Sequence, residues 1–414
     1  MEQIRGRSAK SSVPVARRGT SREINRQIAL NLIRTRQPIS RADLARLMAT
    51  GRGAVTLLVN ELIAEGRVFE GAKGEAPRGR KPQFLYLDAR RRCVVAVDLR
   101  PTRSFLMVTD IVGNPLVGMT SFPTERDPER AIADLAARIQ DTLKRHPEVG
   151  RCEGVGVVVP GMVDPTGTRV LFAPRLRWHD VPFQGPLSAR LGLPVVIENS
   201  GKACALAQAW TVRSESATTG DLVFVNVADG LGVGVVTNGL LLRGQHNAGG
   251  EFGHMPLALD GPRCACGASG CWEAHVSNLA TISRYLGREL EPGKPIPEEV
   301  AALSVEDVIS RARQGDAAAL SALRATARFL GAGLAGVVNA VDPWRIYLSG
   351  EITLAWDLLE GVLRKALDER TLAPSRGHAE VVIVPPQSLP RLRGAAALVT
   401  SPAFAAPVVA RHVP

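Results

Sequence analysis

Val227-x2-Gly230-Leu231-Gly232-x-Gly234-Val235-x8-Gly244-x5-Gly250-x2-Gly253-His254, followed by Cys264-Ala265-Cys266-Gly267 and Gly270-Cys271-Trp272-Glu273, is the stretch on which the fold turns. Its second half sets His254, Cys264, Cys266 and Cys271 within eighteen residues, beside Glu251 and Glu273. One imidazole and three thiolates form a closed tetrahedral set for zinc. Cysteines serving as small apolar core residues would not place half of the six within eight positions next to glycines. A disulfide framework fits less well. The start is polar and Arg-rich with no signal peptide, and Cys93, Cys152 and Cys204 are single and scattered. The chain therefore reads as cytoplasmic, with zinc as its cofactor.

Charge divides the chain. Met1–Arg92 holds 20 Lys+Arg against 8 Asp+Glu, and the remainder 31 against 32, so all of the net +11 belongs to the first ninety residues. A basic module joined to a neutral one points to a polyanionic partner. A merely solubilising tail would not also carry helical periodicity. At 414 residues, two or three domains are expected, and no apolar run is long enough to span a bilayer.

Residues 1–20 lack apolar periodicity and read as a disordered basic tail. From Ser21, Ile24, Ile28 and Leu32 share one helical face. Gln37-Pro38-Ile39 breaks that helix, and Ser40 caps a second carrying Leu44, Leu47 and Met48. Val55, Leu58, Val59, Leu62 and Ile63 then give a third helix with a full apolar stripe, ending at Gly66. Three short helices in this order predict a helix-turn-helix, whose last helix enters the major groove by its first residues. Those are Arg52, Gly53 and Thr56, with Arg52 suited to a guanine edge or a phosphate. Residues 67–70 and 83–87 alternate like the strands of a wing, with Arg78-Gly79-Arg80 at its tip. Alone, such a loop is usually solvated; behind a helix-turn-helix it suits a narrow minor groove. Residues 21–88 thus form a winged helix-turn-helix that reads double-stranded DNA.

The neutral module opens with three strands, Cys93–Asp98, Ser104–Thr109 and Leu116–Phe122, with a turn at Gly113-Asn114-Pro115. A helix from Pro128 to about Lys144 buries Ile132, Leu135, Ala136, Ile139 and Leu143, and Gly154–Val159 is a buried strand. Strands recur at Leu222–Val227, Val233–Thr237 and Leu240–Arg243, and Arg345–Leu348 precedes helices to about Leu398. Two halves of this kind predict a duplicated α/β architecture with a ligand cleft between lobes.

The glycine signature and the Cys3His knuckle resemble those of the ROK family, which comprises repressors and sugar kinases of actin-like fold. From about Thr20 onward the chain is similar to its repressor branch, the xylose- and N-acetylglucosamine-type regulators. The resemblance implies a winged helix-turn-helix followed, over residues 93–400, by a two-lobed actin-like sensor. The family's first phosphate loop, Asp-x-Gly-Gly-Thr, reads here Asp98-Leu99-Arg100-Pro101-Thr102. Arg100 adds bulk and Pro101 has no N–H to offer a phosphate. The catalytic base of the family's Glu-Asn-Asp-Ala-Asn segment falls at Ser200 of Glu198-Asn199-Ser200-Gly201-Lys202, and serine has no useful basicity at neutral pH. Asp229–Gly234 keeps most of a second glycine loop. The resemblance implies sugar contacts from Asn199, Glu251, His254 and Glu273, since carboxylates accept hydrogen bonds from adjacent hydroxyls. Glu251 and Glu273 also suit the task of holding the zinc knuckle. Arg175 stands where the family often has asparagine, which fits an unusual or charged sugar.

The leading expectation is a sugar-responsive repressor of carbohydrate-use genes, not an enzyme, binding an inverted-repeat operator as a homodimer or homotetramer and answering to a sugar or sugar phosphate. An active sugar kinase with a DNA-binding appendage is the alternative. A constitutive DNA-binding protein whose sensor lobe serves only as a dimerisation scaffold is the third.

Overall fold

The computed structural model describes residues 18–73, 83–89, 91–215, 220–291, 294 and 296–404. They fall into two compact units that meet in sequence at Asp88 and Ala89. Each is described by itself.

The first unit runs α1 (Arg18–Arg36), β1 (Ile39–Ser40), α2 (Arg41–Leu47), α3 (Arg52–Ala64), β2 (Val68–Lys73) and β3 (Gln83–Leu87). Helix α1 begins at Arg18, inside the segment expected to be a disordered tail, so that boundary moves back. Its buried residues are Ala29, Leu30 and Ile33, while Ile28 and Leu32 are half-buried. The packed stripe is thus rotated from the one read off the isoleucines. Ser40 caps α2 as expected, its hydroxyl accepting from the Asp43 N–H at 3.1 Å. Leu44, Ala45 and Met48 share the inner face of α2, and Leu47, beyond its edge, is 53% exposed rather than packed. In α3, Val55, Val59 and Leu62 are buried. α2 and α3 meet at 116°, within the range of a helix-turn-helix, and Ala49 takes a left-handed φ of 48° in the turn. β3 pairs with both β1 and β2, completing a small sheet.

The second unit repeats one plan twice. The first lobe contains β4 (Arg92–Asp98), β5 (Arg103–Asp110), β6 (Pro115–Pro123), α4 (Pro128–Arg145), β7 (Arg151–Val159), β8 (Met162–Val163), β9 (Arg169–Ala173), β10 (Trp178–Pro182), α5 (Gln184–Leu191), β11 (Val195–Asn199) and α6 (Ser200–Glu215). The second contains β12 (Leu222–Val227), β13 (Leu231–Thr237), β14 (Leu240–Leu241), α7 (Trp272–Val276), α8 (Asn278–Leu286), α9 (Glu298–Ala301), α10 (Val305–Arg313), α11 (Ala317–Val341), β15 (Arg345–Gly350), α12 (Trp356–Asp368) and β16 (Glu380–Val384), after which α13 (Pro390–Phe404) returns to the first lobe's sheet. The sheets run β6-β5-β4-β7-β11 and β14-β13-β12-β15-β16. In each, an antiparallel meander is extended by two parallel strands. The β-branched run of β16 interrupts what had been expected as helices to Leu398. Cys93 and Cys152, distant in sequence, are register partners on β4 and β7 as free thiols.

Strand β4 shows why its residues are apolar without alternation. Cys93, Val95 and Val97 pack with α4 residues Ile132, Leu135 and Ile139, while Val94 and Ala96 face Leu392, Ala395 and Leu398 of α13. A sheet covered on both faces selects continuous apolar strands. α13 comes close because Gly156 has no side chain: a Cβ there would lie 1.8 Å from the Ala395 carbonyl oxygen. Strands β4, β12 and β15 end on one cavity, at Asp98, Asn226 and Ser349-Gly350, as open α/β sheets present their ligand sites. No helix among the described residues is long and apolar enough to cross a membrane.

Candidate functional site

His254, Cys264, Cys266 and Cys271 bring their ligand atoms within 4.8 Å of one another. Cys264 Sγ lies 3.8 Å from His254 Nδ1, and Cys266 Sγ 3.7 Å from Cys271 Sγ. Zinc–sulfur bonds of about 2.3 Å in a tetrahedron put sulfurs about 3.8 Å apart, so the spacing fits the ion. Gly270 makes the loop possible, with φ of 69° and a would-be Cβ only 1.5 Å from the Ala258 carbonyl oxygen. Burial pushes the Cys264 thiol up, and Glu273 adds to it; burial likewise raises Cys271. Thiolates here therefore need a bound cation to offset their charge. Because His254 faces the cysteines through Nδ1, its Nε2 remains for another partner.

The knuckle is anchored by Trp272, fully buried, whose indole N–H donates to the Phe329 carbonyl oxygen at 3.0 Å. Its ring lies flat on Gly333 of α11, where a Cβ would meet it at 2.0 Å. Gly333→Ala is expected to destabilise the second unit by about 1–3 kcal/mol through overpacking. Chemical denaturation would measure this, and a change under 0.5 kcal/mol would show that Trp272 has room to move.

Around this anchor the expected sugar-contact residues converge, but not equally. Glu251 is largely buried, feels Lys202, His254, Glu273 and Glu198, and is raised above the usual carboxylate range chiefly by desolvation. Its carboxylate has no hydrogen-bond partner among the described residues. Glu273 takes the Leu231 N–H on Oε2 at 2.9 Å and faces Arg175 Nη2 on Oε1 at 3.5 Å. Asn199 differs from the reading of its sequence: Oδ1 accepts from the Gly201 and Lys202 N–H groups, and Nδ2 donates to the Gly161 carbonyl oxygen. These bonds hold the start of α6 and leave one Nδ2 N–H over, so the residue also has a positioning task.

Sequence reasoning noted Lys202 only as a departure and passed over Arg243 and Asn247. Lys202 is 1% exposed, and its ammonium donates to the carbonyl oxygen and Oδ1 of Asn247. Desolvation lowers it from the ordinary lysine range, against the pull of Glu198 and Glu251. Arg243 pairs with Glu198 and Asn247. No local pattern announces this network, because its members lie up to 49 residues apart.

The second glycine loop turns out to serve packing. A Cβ on Gly201 would lie 2.6 Å from the Val233 nitrogen, one on Gly234 2.3 Å from the Gly201 carbonyl oxygen, and one on Gly230 2.7 Å from Glu273. α6 therefore crosses β13 backbone to backbone. Ser200, at the first turn of α6, is buried. A separate cavity of about 190 Å³ is lined by Asp98, Arg100, Asn226, Ser349, Glu351 and Arg391, among others. Asp98 is 1% exposed and doubly held, Oδ2 by Arg100 Nε and Oδ1 by Arg391 Nε, both at 2.7 Å.

In the first unit, Arg52, Gly53 and Thr56 all lie exposed at the start of α3. Arg52 has no side-chain partner among the described residues, while Arg22 and Arg41 pair with Glu61 and Glu70. Thr56 Oγ1 donates to the Arg52 carbonyl oxygen at 2.8 Å. Arg78, Gly79 and Arg80 lie outside the described residues.

Fold and site together define a regulator-type architecture: a helix-turn-helix unit ahead of a duplicated sugar-kinase-like unit. Residues 94–401 match the ROK family profile, and the chain belongs to the ROK family. It is 27% identical over 350 residues to the xylose repressor of Bacillus subtilis, covering 84% of this chain and 88% of the relative. It is 30% identical over 282 residues to the glucokinase of Streptomyces coelicolor, covering 66% and 86% respectively. A crystal structure of a ROK family transcriptional regulator, a homolog of the E. coli MLC protein, superposes with a TM-score of 0.76 at 25% identity over 93% of this chain and 97% of its own.

Proposed function

We propose that this protein is a sugar-responsive DNA-binding transcriptional regulator, a repressor of carbohydrate-use genes, whose kinase-like unit senses a ligand without phosphorylating it. The observation that carries the reading is the span of the regulator match. It leaves 7% of the chain uncovered, fewer residues than the first unit holds, whereas a ROK family glucokinase structure covers 74%. The exposed start of α3 supports DNA reading by Arg52, Gly53 and Thr56, with Arg78, Gly79 and Arg80 as wing contacts. Glu251 and Glu273, with the free nitrogen of His254, support sugar binding; Asn199 contributes by holding α6. Zinc on His254, Cys264, Cys266 and Cys271 is structural in this reading, and its chemistry is to hold the thiolates and fix the loop. A homodimer or homotetramer would present two recognition helices to an inverted repeat, in the cytoplasm where the operator lies.

Loss of phosphoryl transfer is part of the proposal. Ser200 cannot take a proton from a sugar hydroxyl. Asp98, with both oxygens on guanidinium groups, and Pro101, with no N–H, leave the first loop without a phosphate cradle. Binding-site selection from a random duplex library should return a two-fold symmetric sequence, and an ATPase assay with a sugar panel should show no sugar-dependent turnover. Ser200→Asp is expected to leave turnover at background, since the first loop is unchanged. Robust turnover by the unmodified chain would instead make it a sugar kinase with a DNA-binding appendage.

A further inference from the structure

Arg175 lies on the tight turn between β9 and β10, closed by a hydrogen bond from the Leu176 N–H to the Ala173 carbonyl oxygen at 3.0 Å. Its neighbours Ala173, Leu176 and Trp178 are at most 1% exposed, so the turn is clamped into the first lobe. The side chain leaves this turn and reaches Gly230 and Glu273 of the second lobe, where a Cβ on Gly230 would lie 3.8 Å from Nε. It is 22% exposed, and its one partner among the described residues is Glu273, at the outer limit of 3.5 Å. A guanidinium carries five N–H donors in a fixed fork and accepts nothing. Only Nη2 has a partner, so most of those donors are left unpaired among the described residues.

The other cations of the site are more firmly engaged: Lys202 donates twice to Asn247, and Arg243 Nη1 meets both Glu198 and Asn247. The three carboxylates Glu198, Glu251 and Glu273 are matched by the three cations Arg243, Lys202 and Arg175. Each of these carboxylates therefore has a cation beside it, unlike an uncompensated pair of glutamates. Hydroxyl donors are read by carboxylates, which accept; a planar fork with free N–H groups is read by two oxygens of a carboxylate or phosphate.

We propose that the effector is an anionic monosaccharide derivative, a sugar acid or a sugar phosphate, whose anionic group docks on the free edge of Arg175 while its ring hydroxyls meet Glu251 and Glu273. This rests on the effector-sensing reading above and names the ligand class for it. Arg175 would draw the first lobe onto a ligand held by the second.

The test is calorimetry on the full chain with matched sets: a neutral aldose, its terminal phosphate ester and its uronic acid, for several hexoses and pentoses. At least one charged member is expected to bind ten-fold or more tighter than its neutral parent, and the phosphate and uronate arms identify which anion. Arg175→Gln should bring that ratio to about one, and Arg175→Lys should retain part of it. Metal content and melting temperature of both variants report whether the fold is kept. Neutral parents binding as well as their charged derivatives, or a ratio unchanged in Arg175→Gln, would overturn the proposal and leave the regulator reading standing. Gain of affinity for neutral sugars in Arg175→Gln would make Arg175 a plug on Glu273, and overturns it too. No binding by any member, together with operator binding that no sugar alters, would remove the effector-sensing reading and this proposal with it.

Discussion

Cys266→Ser is expected to purify with close to no zinc, where the parent chain carries about one ion, and to lose effector affinity by about 10- to 100-fold. Cys266 is half-buried and closes one edge of the tetrahedral set with Cys271. Without its thiolate the set is left with three ligands and would lose the ion, and with it the positive charge that would hold the buried Cys264 and Cys271 as thiolates. The loss then travels by short links. Glu251 sits immediately before the turn that carries His254, whose N–H donates to the Glu251 carbonyl oxygen at 3.1 Å. Glu273 lies two residues after Cys271, with its carboxylate 3.9 Å from Cys264 Sγ. The knuckle thus fixes the spacing of both proposed sugar-binding carboxylates. The first unit has its own core of Leu30, Ile33, Leu44, Val59 and Leu85 and should stay folded. DNA binding should persist without answering to sugar, or weaken if assembly itself depends on the second unit. Metal analysis and calorimetry decide the matter. Unchanged effector affinity in metal-free Cys266→Ser would reduce the knuckle to a structural clasp.

What could be read from the chain was what its chemistry states locally. The Ser40 cap, the break after Arg36, the stripe of α3 and the metal set each depend on residues within a few turns of one another, and each is found in the structure. The duplicated sheet was legible in the same way, as apolar runs separated by glycine turns. What could not be read depends on long-range closure. Arg391 meets Asp98 across 293 positions, and nothing near either residue marks the other. Lys202 has the composition of a solvated helix residue, yet α6 is driven into β13 by Gly201, Gly232 and Gly234, and the lysine goes under with it. Gly232 and Gly234 were read as part of the family's second glycine loop, and Gly201 as part of the segment that holds the base. Close backbone packing and phosphate approach demand the same absence of a side chain, and sequence alone does not separate them. Strand β16 was lost among helices because its neighbours Trp356–Asp368 and Pro390–Phe404 are helical and a five-residue apolar run fits either state.

A chain lacking residues 1–88 is expected to lose operator affinity by about 10³-fold or more, down to the level of non-specific association. The basic excess of the protein ends with this unit, since the remaining residues are nearly balanced in charge. Not all of that excess is free for DNA. Arg22, Arg26 and Arg41 spend their guanidinium groups on Glu61, Glu65 and Glu70, tying α1 and α2 to α3 and β2. These pairs tie α3 in place, and Arg52, at its exposed start, is the residue proposed to meet the duplex. The salt dependence of the full chain should therefore count only the unpaired cations, at a slope of about −0.9 per phosphate neutralised. Gel shift and anisotropy across a salt series measure both quantities. Effector binding by the shortened chain should survive, because Glu251, Glu273 and the knuckle all lie in the second unit. Linkage demands that operator and effector affect each other equally, typically by 1–3 kcal/mol. The truncation should remove that coupling while sparing the sensor. Operator binding retained by residues 89–414 would place DNA reading in the second unit, and the exposed start of α3 would then need a different partner.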